Sequence, residues 1–184
     1  MTPVMVLRGQ QVGLGPIRKE DLGRIHMWWN DPEIMLPLSG VVWPRTEREV
    51  EEWYEKQASP TDHSTVNFAV YELSSEAIVG CVALAQINYR SQTAWPSSYI
   101  GDQRLQGCGY GTEARQLLIQ YAFDILGLHS LTVAIHTDNP ASLRVAEKVG
   151  YRVIGTQRQS CRRFGQRVDA ILLDLLADEW RASQ

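Results

Sequence analysis

A glycine-rich turn limits the possible folds of this chain more than any other segment of its sequence. Gly107, Gly109 and Gly111 alternate with other residues between a predicted strand and a predicted helix. The helix carries an apolar stripe at helical spacing, formed by Ala114, Leu117, Leu118, Tyr121, Ala122, Ile125 and Leu126. Such a stripe predicts that the helix packs firmly on a sheet, so that its N-terminus is held still.

The chemistry of this turn follows from the start of the helix. The first N–H groups of a helix have no intrahelical partner, and with the helix dipole they attract an anion, usually phosphate. The dinucleotide fingerprint would need glycine or alanine where Thr112 stands, and the P-loop would need Gly-Lys-Ser or Gly-Lys-Thr. Two interpretations remain: an anion-binding loop of another kind, or a turn whose glycines serve only close helix packing.

Hydrophobic periodicity predicts an α+β chain around the turn. After short extended segments before residue 18, strands are expected at 66–73, 77–87, 98–101, 131–136, 151–157 and 168–175. Helices are expected at 20–29, from Thr46 onward, at 109–126 and at 140–148. Asn30-Asp31-Pro32 is interpreted as the end of the first helix. The predicted architecture is a mixed, mostly antiparallel sheet of six to seven strands with helices on both faces.

Length and charge narrow the class of protein. The chain has 184 residues, and 18 lysines and arginines against 21 aspartates and glutamates give a formal charge of -3. We expect one domain over residues 1–184, because a domain holds roughly 100 to 200 residues. A nearly neutral chain lacks the positive charge that nucleic-acid binding requires, so no nucleic-acid partner is expected.

The cellular setting is also suggested by composition. No segment approaches the roughly 18 apolar residues of a membrane span, and the N-terminus does not match a signal peptide. Three widely spaced cysteines, Cys81, Cys108 and Cys161, are typical of reduced thiols in the cytoplasm. His136 and Asp138 lack a third ligand at suitable spacing, so we expect no metal site. The sequence therefore predicts a cytoplasmic protein with no membrane partner, either a monomer or a homodimer.

Longer strings surround the glycine turn. They are Ile100-Gly101-Asp102, Gly109-Tyr110-Gly111-Thr112-Glu113-Ala114, Leu126-Gly127-Leu128-His129, Thr137-Asp138-Asn139-Pro140-Ala141-Ser142, Glu147-Lys148-Val149-Gly150-Tyr151 and the hairpin from Phe164 to Asp169. These strings closely resemble the GNAT acetyltransferase superfamily, and Arg104, Gly107 and Gly109 fit its pattern Gln/Arg-x-x-Gly-x-Gly/Ala. Arg18 to Leu22 and Trp29 to Glu33 resemble the branch with ribosomal-protein N-terminal, polyamine and some antibiotic-modifying acetyltransferases.

The resemblance implies a GNAT-like acyl-CoA N-acyltransferase fold with acetyl-CoA as co-substrate. In the family, N–H groups of the loop matching Gln106 to Thr112 hold the pyrophosphate. The strand matching Tyr99 to Asp102 splays from the strand matching Leu131 to His136, so that pantetheine pairs with the exposed edge. The implied donor-site residues are Tyr99, Ile100, Gly101, Asp102, Arg104, Gln106, Gly107, Cys108, Gly109, Tyr110, Gly111, Thr112, Asn139 and Ser142.

Transfer of an acyl group to an amine needs a neutral amine, a donor for the developing oxyanion and a proton for the departing thiolate. The tyrosine that many family members use as acid is replaced by Ala146. The resemblance to the ribosomal-protein branch implies Ser142 as the catalytic acid, with Asn139 orienting pantetheine. The alternative for Ser142 is a helix-start residue that satisfies local backbone groups.

The general base is left open, because Trp95 or Pro96 stands where the family often has glutamate. Glu33, His63 and His136 are candidates that could act through water, although each also has a purely structural interpretation.

The acceptor is expected to be a primary amine, either a protein N-terminal α-amine or a small molecule. Aromatic residues gather where the family builds its acceptor groove: Trp28, Trp29, Trp43, Trp53 and Tyr54. A basic cluster on the closing hairpin comprises Arg158, Arg162, Arg163 and Arg167. It could bind an acidic acceptor or the 3′-phosphate of CoA, and the default is a solvated hairpin surface.

The leading hypothesis is an N-acetyltransferase that works by direct attack in a ternary complex. Two alternatives are a non-catalytic acyl-CoA-binding module and an acyltransferase that takes its acyl group from a carrier protein.

Overall fold

A single sheet runs through the protein, whose computed structural model describes residues 2–58, 63–163 and 165–183. The described strands are Leu7–Arg8 (β1), Val12–Gly15 (β2), Val66–Glu72 (β3), Ile78–Asn88 (β4), Thr93–Ile100 (β5), Ser130–His136 (β6), Arg152–Arg163 (β7) and Gln166–Leu176 (β8). The described α-helices are Leu22–Trp29 (α1), Pro32–Ser39 (α2), Glu47–Ala58 (α3), Tyr110–Gln120 (α4), Pro140–Lys148 (α5) and Ala177–Ala182 (α6). Phe164, at the start of the closing hairpin string, lies outside the described residues.

The α+β prediction is confirmed, with differences in number and length. The sheet has eight described strands instead of six or seven, because even the two-residue strand β1 pairs with β2. The strand order is β1-β2-β3-β4-β5-β6-β8-β7. Neighbouring strands in the described part are antiparallel except β5 and β6. A parallel pair needs a crossover connection, and α4 provides it, so the glycine turn lies between the two parallel strands.

Helices cover both faces of the sheet, as predicted. Side chains of β3 alternate between the faces: Phe68 and Val70 belong to the core cluster under α4 and α5, whereas Ala69 and Tyr71 belong to the cluster under α1, α2 and α3. Period-2 alternation on a strand buried on both sides has this result. Two apolar cores therefore hold the sheet from opposite sides.

Helix α2 was missed by the sequence analysis. The Asn30-Asp31-Pro32 segment ends α1, as predicted, but it also starts α2. The Asp31 carboxylate accepts a hydrogen bond of 2.8 Å from Glu33 N, and Pro32 occupies the first helical position. Gly40 closes the helix with a left-handed φ of 76°. Both ends thus carry ordinary helix signals.

Strand β5 begins five residues before the predicted start at Ser98. The first half of β5 was not predicted because it contains Pro96, and proline has no N–H to donate to a neighbouring strand. In the structure Pro96 lies just past the last β5–β6 pair, on the part of the strand whose edge toward β6 is unpaired. Proline is tolerated at such an edge.

The helix after the glycine turn does not stay α-helical to Leu126. It changes at Tyr121–Ile125 to a π-helical turn. The wider turn shifts the end of the apolar stripe, so that Phe123 is buried while Ile125 is 53% exposed. The short helix α6 was also not predicted. No helix in the described ranges is both long and apolar enough to cross a membrane.

Candidate active site

A cleft opens where β5 and β6 part. In the described strands, their pairing comprises Thr93 with Ser130 and Ala94 with Leu131. Beyond these pairs a cavity of about 1050 Å³ lies between the strands, the glycine loop and α5. This separation was implied by the family resemblance. It leaves one backbone edge of β5 without a strand partner.

The glycine loop forms one end of this cleft. Gly107 and Gly109 have left-handed φ values of 80° and 93°, which side chains with a Cβ adopt only with strain. No side chain caps α4, and its first intrahelical bond is donated by Glu113 N to Gly109 O at 3.0 Å. The N–H groups of the preceding turn therefore remain available to an anionic ligand.

Glu113 does not place its charge in the cradle. Its carboxylate accepts hydrogen bonds from Gln10 N and, at 3.0 Å, from Gln11 N in the β1–β2 turn. The contact ties the start of α4 to the sheet. It also turns the first-turn carboxylate away from the loop.

The cleft brings together nine of the fourteen predicted donor-site residues. They are Tyr99, Ile100, Gln106, Gly107, Gly109, Gly111, Thr112, Asn139 and Ser142. Gly101, Asp102, Arg104, Cys108 and Tyr110 are outside the residues that line it. Nine of the predicted residues therefore line the cleft, and the other five lie outside its lining.

Each of these five neighbours has a contact of its own. A Cβ on Gly101 would lie 2.1 Å from the Trp28 ring, so glycine is required there for packing. Arg104 Nη2 donates to Asp102 Oδ2 at 2.7 Å, and this bond lowers the pKa of Asp102. Tyr110 donates its hydroxyl hydrogen to Glu72, whose carboxylate raises the pKa of Tyr110. Cys108 is exposed.

Helix α5 presents Asn139 and Ser142 to the cleft. Asn139 Oδ1 caps the helix by accepting from Ser142 N at 3.1 Å, and Asn139 Nδ2 donates to Pro37 O at 3.1 Å. The half-buried Ser142 hydroxyl makes no hydrogen bond within the described part of the chain. Its local backbone bond is therefore made by its N–H, and its hydroxyl is free to meet a ligand.

Two of the three candidate bases reach the cleft. Glu33 and His136 line it, whereas His63 does not. The Glu33 carboxylate accepts from Gln103 Nε2. His136 Nδ1 lies 3.4 Å from Arg163 Nη1.

Arg163 corrects the interpretation of the basic cluster as a solvated surface. Arg158, Arg162 and Arg167 are exposed, but Arg163 is 6% exposed. Its Nη1 lies 3.0 Å from Asp138 Oδ1. Arg163 thus joins β7 to the loop that follows β6.

Arg115 is a cleft residue that the sequence analysis missed. It lies in the second turn of α4, is 5% exposed, and donates through Nη2 to Ser98 Oγ at 2.6 Å. Its Nε and Nη1, and the neighbouring Tyr151 hydroxyl, are buried without a hydrogen-bond partner among the described residues. Burial raises the pKa of Tyr151 to about 12 despite the opposing charge of Arg115. The available signal was that Arg115 directly follows Ala114 of the apolar stripe. Arginine is seldom buried, so its burial was not expected from the sequence.

A second cavity, of about 340 Å³, lies on the side of the sheet covered by α1, α2 and α3. We call it the tryptophan pocket and define it by Trp29, Trp43, Trp53, Met35, Leu38 and Val41. The expected aromatic groove is thus present, although Trp28 and Tyr54 pack in the core instead. Leu38, Val82, Ser97 and Tyr99 line both cavities. The cleft and the tryptophan pocket therefore meet at the separated part of β5.

Tyr99 stands at this junction. Trp29 Nε1 donates to its hydroxyl at 3.2 Å, and burial raises the pKa of Tyr99 well above its ordinary value. The phenol consequently stays protonated at neutral pH. In residues 2–58, 63–163 and 165–183, no three histidine, cysteine, aspartate or glutamate side chains gather as a potential metal site.

The sequence matches a known protein family and resembles individual proteins of known type. Residues 11–152 match the acetyltransferase (GNAT) domain family. The chain is 33% identical over 111 residues to a probable N-acetyltransferase, YjcK, of Bacillus subtilis, covering 60% of this chain and 61% of that protein. It is 27% identical over 176 residues to spermidine N(1)-acetyltransferase of Escherichia coli, covering 93% and 89% of the two chains.

The fold has close structural counterparts. Spermidine N-acetyltransferase from Vibrio cholerae, solved with CoA and spermine, superimposes with a TM-score of 0.84 at 24% identity, covering 94% of this chain and 99% of that one. The protein therefore has the fold of the GNAT acetyltransferases. The protein belongs to the GNAT acetyltransferase family. It is an acetyl-CoA-dependent N-acetyltransferase that acts on an amine.

Proposed function

We propose that the protein transfers acetyl from acetyl-CoA in the cleft to a small-molecule primary amine held in the tryptophan pocket. The observation that carries this proposal is the junction of the two cavities at Ser97 and Tyr99. A donor and an acceptor bound on opposite sides of the sheet meet there without a covalent enzyme intermediate. Direct attack in a ternary complex needs this arrangement.

The donor fits the cleft in three parts. The uncapped start of α4 provides N–H groups for the pyrophosphate. The edge of β5 that lacks a strand partner offers backbone groups to the pantetheine amides. Arg115, which lines the cleft and holds the Ser98 hydroxyl, adds positive charge beside the same arm. Asn139 holds the start of α5 against this arm.

The chemical step follows from the groups at the junction. The neutral amine attacks the thioester carbonyl carbon, a C–N bond forms and the C–S bond breaks. An N–H on the unpaired edge of β5 stabilises the oxygen that gains charge. Ser142, whose hydroxyl is unengaged in the described structure, gives a proton to the departing thiolate and regains one from water in the cleft. The amine proton leaves through water toward Glu33 or His136, the candidate bases that line the cleft.

Relatives support a small-molecule acceptor over a protein N-terminus, since the Escherichia coli relative acts on spermidine. A cytoplasmic location is part of the proposal and is supported by three cysteines that are all free thiols.

The test is acetyl-CoA turnover with a panel of primary amines, read as release of free thiol. Acetylation of at least one amine above the rate of hydrolysis is expected, and Gly109→Trp should abolish CoA binding by filling the loop. Thiol release that no amine accelerates, together with tight CoA binding, would indicate a non-catalytic acyl-CoA-binding module. Activity with an acyl carrier protein but none with acetyl-CoA would indicate a carrier-dependent enzyme.

A further inference from the structure

The walls of the tryptophan pocket are aromatic and aliphatic. Trp29 and Trp53 meet edge to face with ring centroids 4.8 Å apart, and Met35, Leu38 and Val41 complete the apolar lining. Trp43 also lines the pocket while 65% of its surface is exposed. A large aromatic side chain left open at the mouth of a pocket is a typical contact for a ligand.

The charge on the lining of the pocket disfavours a polycation. Among the described residues that line it there is no aspartate or glutamate, and the charged lining residue is Arg45. Arg45 Nη1 lies 3.8 Å from Glu49 Oε1, a loose pair at the surface. The Glu49 carboxylate also accepts, through Oε2, from Thr46 N at 2.8 Å and from Thr46 Oγ1 at 3.1 Å, and these bonds lower its pKa. Because this exposed pair is loose and only Arg45 lines the pocket, Glu49 offsets the Arg45 charge only in part on the pocket side.

The neutral polar groups of the pocket are also mostly engaged. Ser39 Oγ donates toward Met35 O and Val41 O, at 2.9 and 2.6 Å. Asn67 Nδ2 donates to Gln57 Oε1 at 2.7 Å. The Tyr99 hydroxyl receives the Trp29 indole N–H. A second ammonium group would thus lie next to Arg45 with no lining carboxylate to pair with it, and this repulsion opposes the attraction that the tryptophan rings offer a cation.

Size adds a further limit. A cavity of about 340 Å³ is at the lower end of ligand sites, which span roughly 300 to 1,000 Å³. It suits one ring and a short chain leading to the junction at Ser97 and Tyr99. The reacting amine must lose its proton to become nucleophilic, so it carries no charge when it attacks. An acceptor whose remaining part is apolar therefore brings no charge into this pocket during the reaction.

We propose that the acceptor is a primary amine bearing one aromatic group and no second cationic centre, as in an arylalkylamine or an aromatic amino acid. This inference rests on the proposed function, since it assigns a substrate class to the same acceptor pocket. Arg45 allows a carboxylate on the acceptor. A primary amine close to an aromatic ring occurs both in a free arylalkylamine and in a peptide whose first residue is aromatic.

The deciding experiment measures thiol release from acetyl-CoA with tryptamine, L-tryptophan, a short peptide with N-terminal tryptophan, and spermidine. We expect kcat/KM for the best aromatic amine to exceed that for spermidine by at least about tenfold. The ranking of kcat/KM among the three aromatic amines shows whether the acceptor is a free amine or the N-terminus of a peptide. Preference for spermidine overturns the inference and leaves the proposed function intact. No acetylation of any amine contradicts both.

Two pairs of variants locate the effect. Trp43→Ala should raise KM for tryptamine about tenfold with kcat within about twofold, because it removes a ring contact and no reacting group. Tyr89→Ala is its control, since Tyr89 is 51% exposed and lines neither cavity. Equal KM values for the two variants would contradict the pocket assignment.

The second pair tests the charge. Arg45→Glu should narrow the ratio of tryptamine to spermidine activity by about tenfold or more, because a carboxylate replaces the repelling cation. Arg48→Glu makes the same change on α3 outside the pocket, where Arg48 now pairs with Glu52 at 2.8 Å. An unchanged ratio in Arg45→Glu, or the same shift in Arg48→Glu, counts against the proposal.

Discussion

Arg115 Nη2 donates a hydrogen bond of 2.6 Å to Ser98 Oγ and thereby ties the second turn of α4 to the unpaired edge of β5. The rest of its guanidinium is buried without a partner in the described protein. A buried cation left this way destabilises the ligand-free protein. Because Arg115 also lines the cleft, we expect a bound donor to offset part of this cost.

Arg115→Met tests this explanation. We expect the melting temperature of the free protein to stay within about 3 °C or to rise, because an unpaired charge is replaced by an apolar side chain of similar length. The stabilisation produced by saturating CoA should fall, with affinity lower by about tenfold or more. Thermal unfolding with and without CoA measures both. Gln116→Met, on the exposed side of α4, is the control, and equal CoA stabilisation in the two variants would contradict the role.

Gly109→Ala is expected to lose donor affinity beyond any loss of stability. Its φ of 93° costs alanine about 1 to 2 kcal/mol, and relief of that strain moves the loop N–H groups. Gly127→Ala is a matched control, because Gly127 has φ 66°, open space around its Cβ position and no place in either cavity. Both variants should lose similar stability in urea unfolding, but only Gly109→Ala should bind CoA more weakly in calorimetry. Equal CoA affinities would show that the loop geometry does not matter for binding.

Ser142→Ala should lower kcat by about 10² to 10⁴ while changing KM for acetyl-CoA little, as expected for loss of a general acid. The α5 cap survives this substitution, because the bond to Asn139 Oδ1 comes from the Ser142 backbone N–H. Steady-state kinetics measures the split, and Ser142→Thr should restore part of kcat. A kcat equal to that of the unmodified protein would remove Ser142 from the mechanism.

Two of the three thiols, Cys108 and Cys81, should react with iodoacetamide in a defined order. Burial raises the pKa of Cys81 to about 12, so its thiolate is scarce at pH 8, whereas Cys108 is exposed. Peptide mass spectrometry of briefly alkylated native protein should find Cys108 modified well before Cys81. The Cys81 rate should increase about tenfold per pH unit up to the limit of protein stability. Modification of Cys81 first would contradict its placement.

The bond between Tyr110 and Glu72 should give a pH-dependent part of stability. Hydrogen bonds from Ser75 and Tyr110 lower the pKa of Glu72 from 4.5. A lowered carboxyl pKa contributes stability that is present above the unfolded-state value and is lost as pH falls through the folded-state value. The difference in unfolding free energy between wild type and Tyr110→Phe should therefore be larger at pH 7 than at pH 3.

Tyr89→Phe is the control for that comparison. The Tyr89 hydroxyl donates to the carbonyl oxygen of His63 at 3.1 Å, and this acceptor does not titrate. Urea unfolding should give a Tyr89→Phe loss that is constant between pH 3 and pH 7. Parallel behaviour of the two variants would mean that Glu72 is not the source of the pH dependence.

Local signals explain which elements were predictable. The start of α5 was, because Asn139 and Pro140 act within one turn. The stripe on α4 also predicted the packing of Ala114 and Leu118, which are both fully buried. Ile125 was assigned wrongly, since the π-helical turn depends on how the end of the helix meets its neighbours. The start of α2 was overlooked although Asp31 and Pro32 carry its signals.

Spacing and local chemistry in the sequence determined the α+β class, the glycine loop before α4 and the Asn139 cap, and longer strings in the sequence carried the resemblance to the GNAT family. These properties depend on residues close together in the chain, whose backbone preferences and hydrogen bonds act locally. Only the tertiary structure decided that β5 and β6 part after Ala94, that Arg115 is buried facing Ser98, and that three tryptophans line a pocket without a described carboxylate. These relationships involve residues that are far apart in the sequence. Packing on both faces of the sheet sets the distances between them and shields them from water.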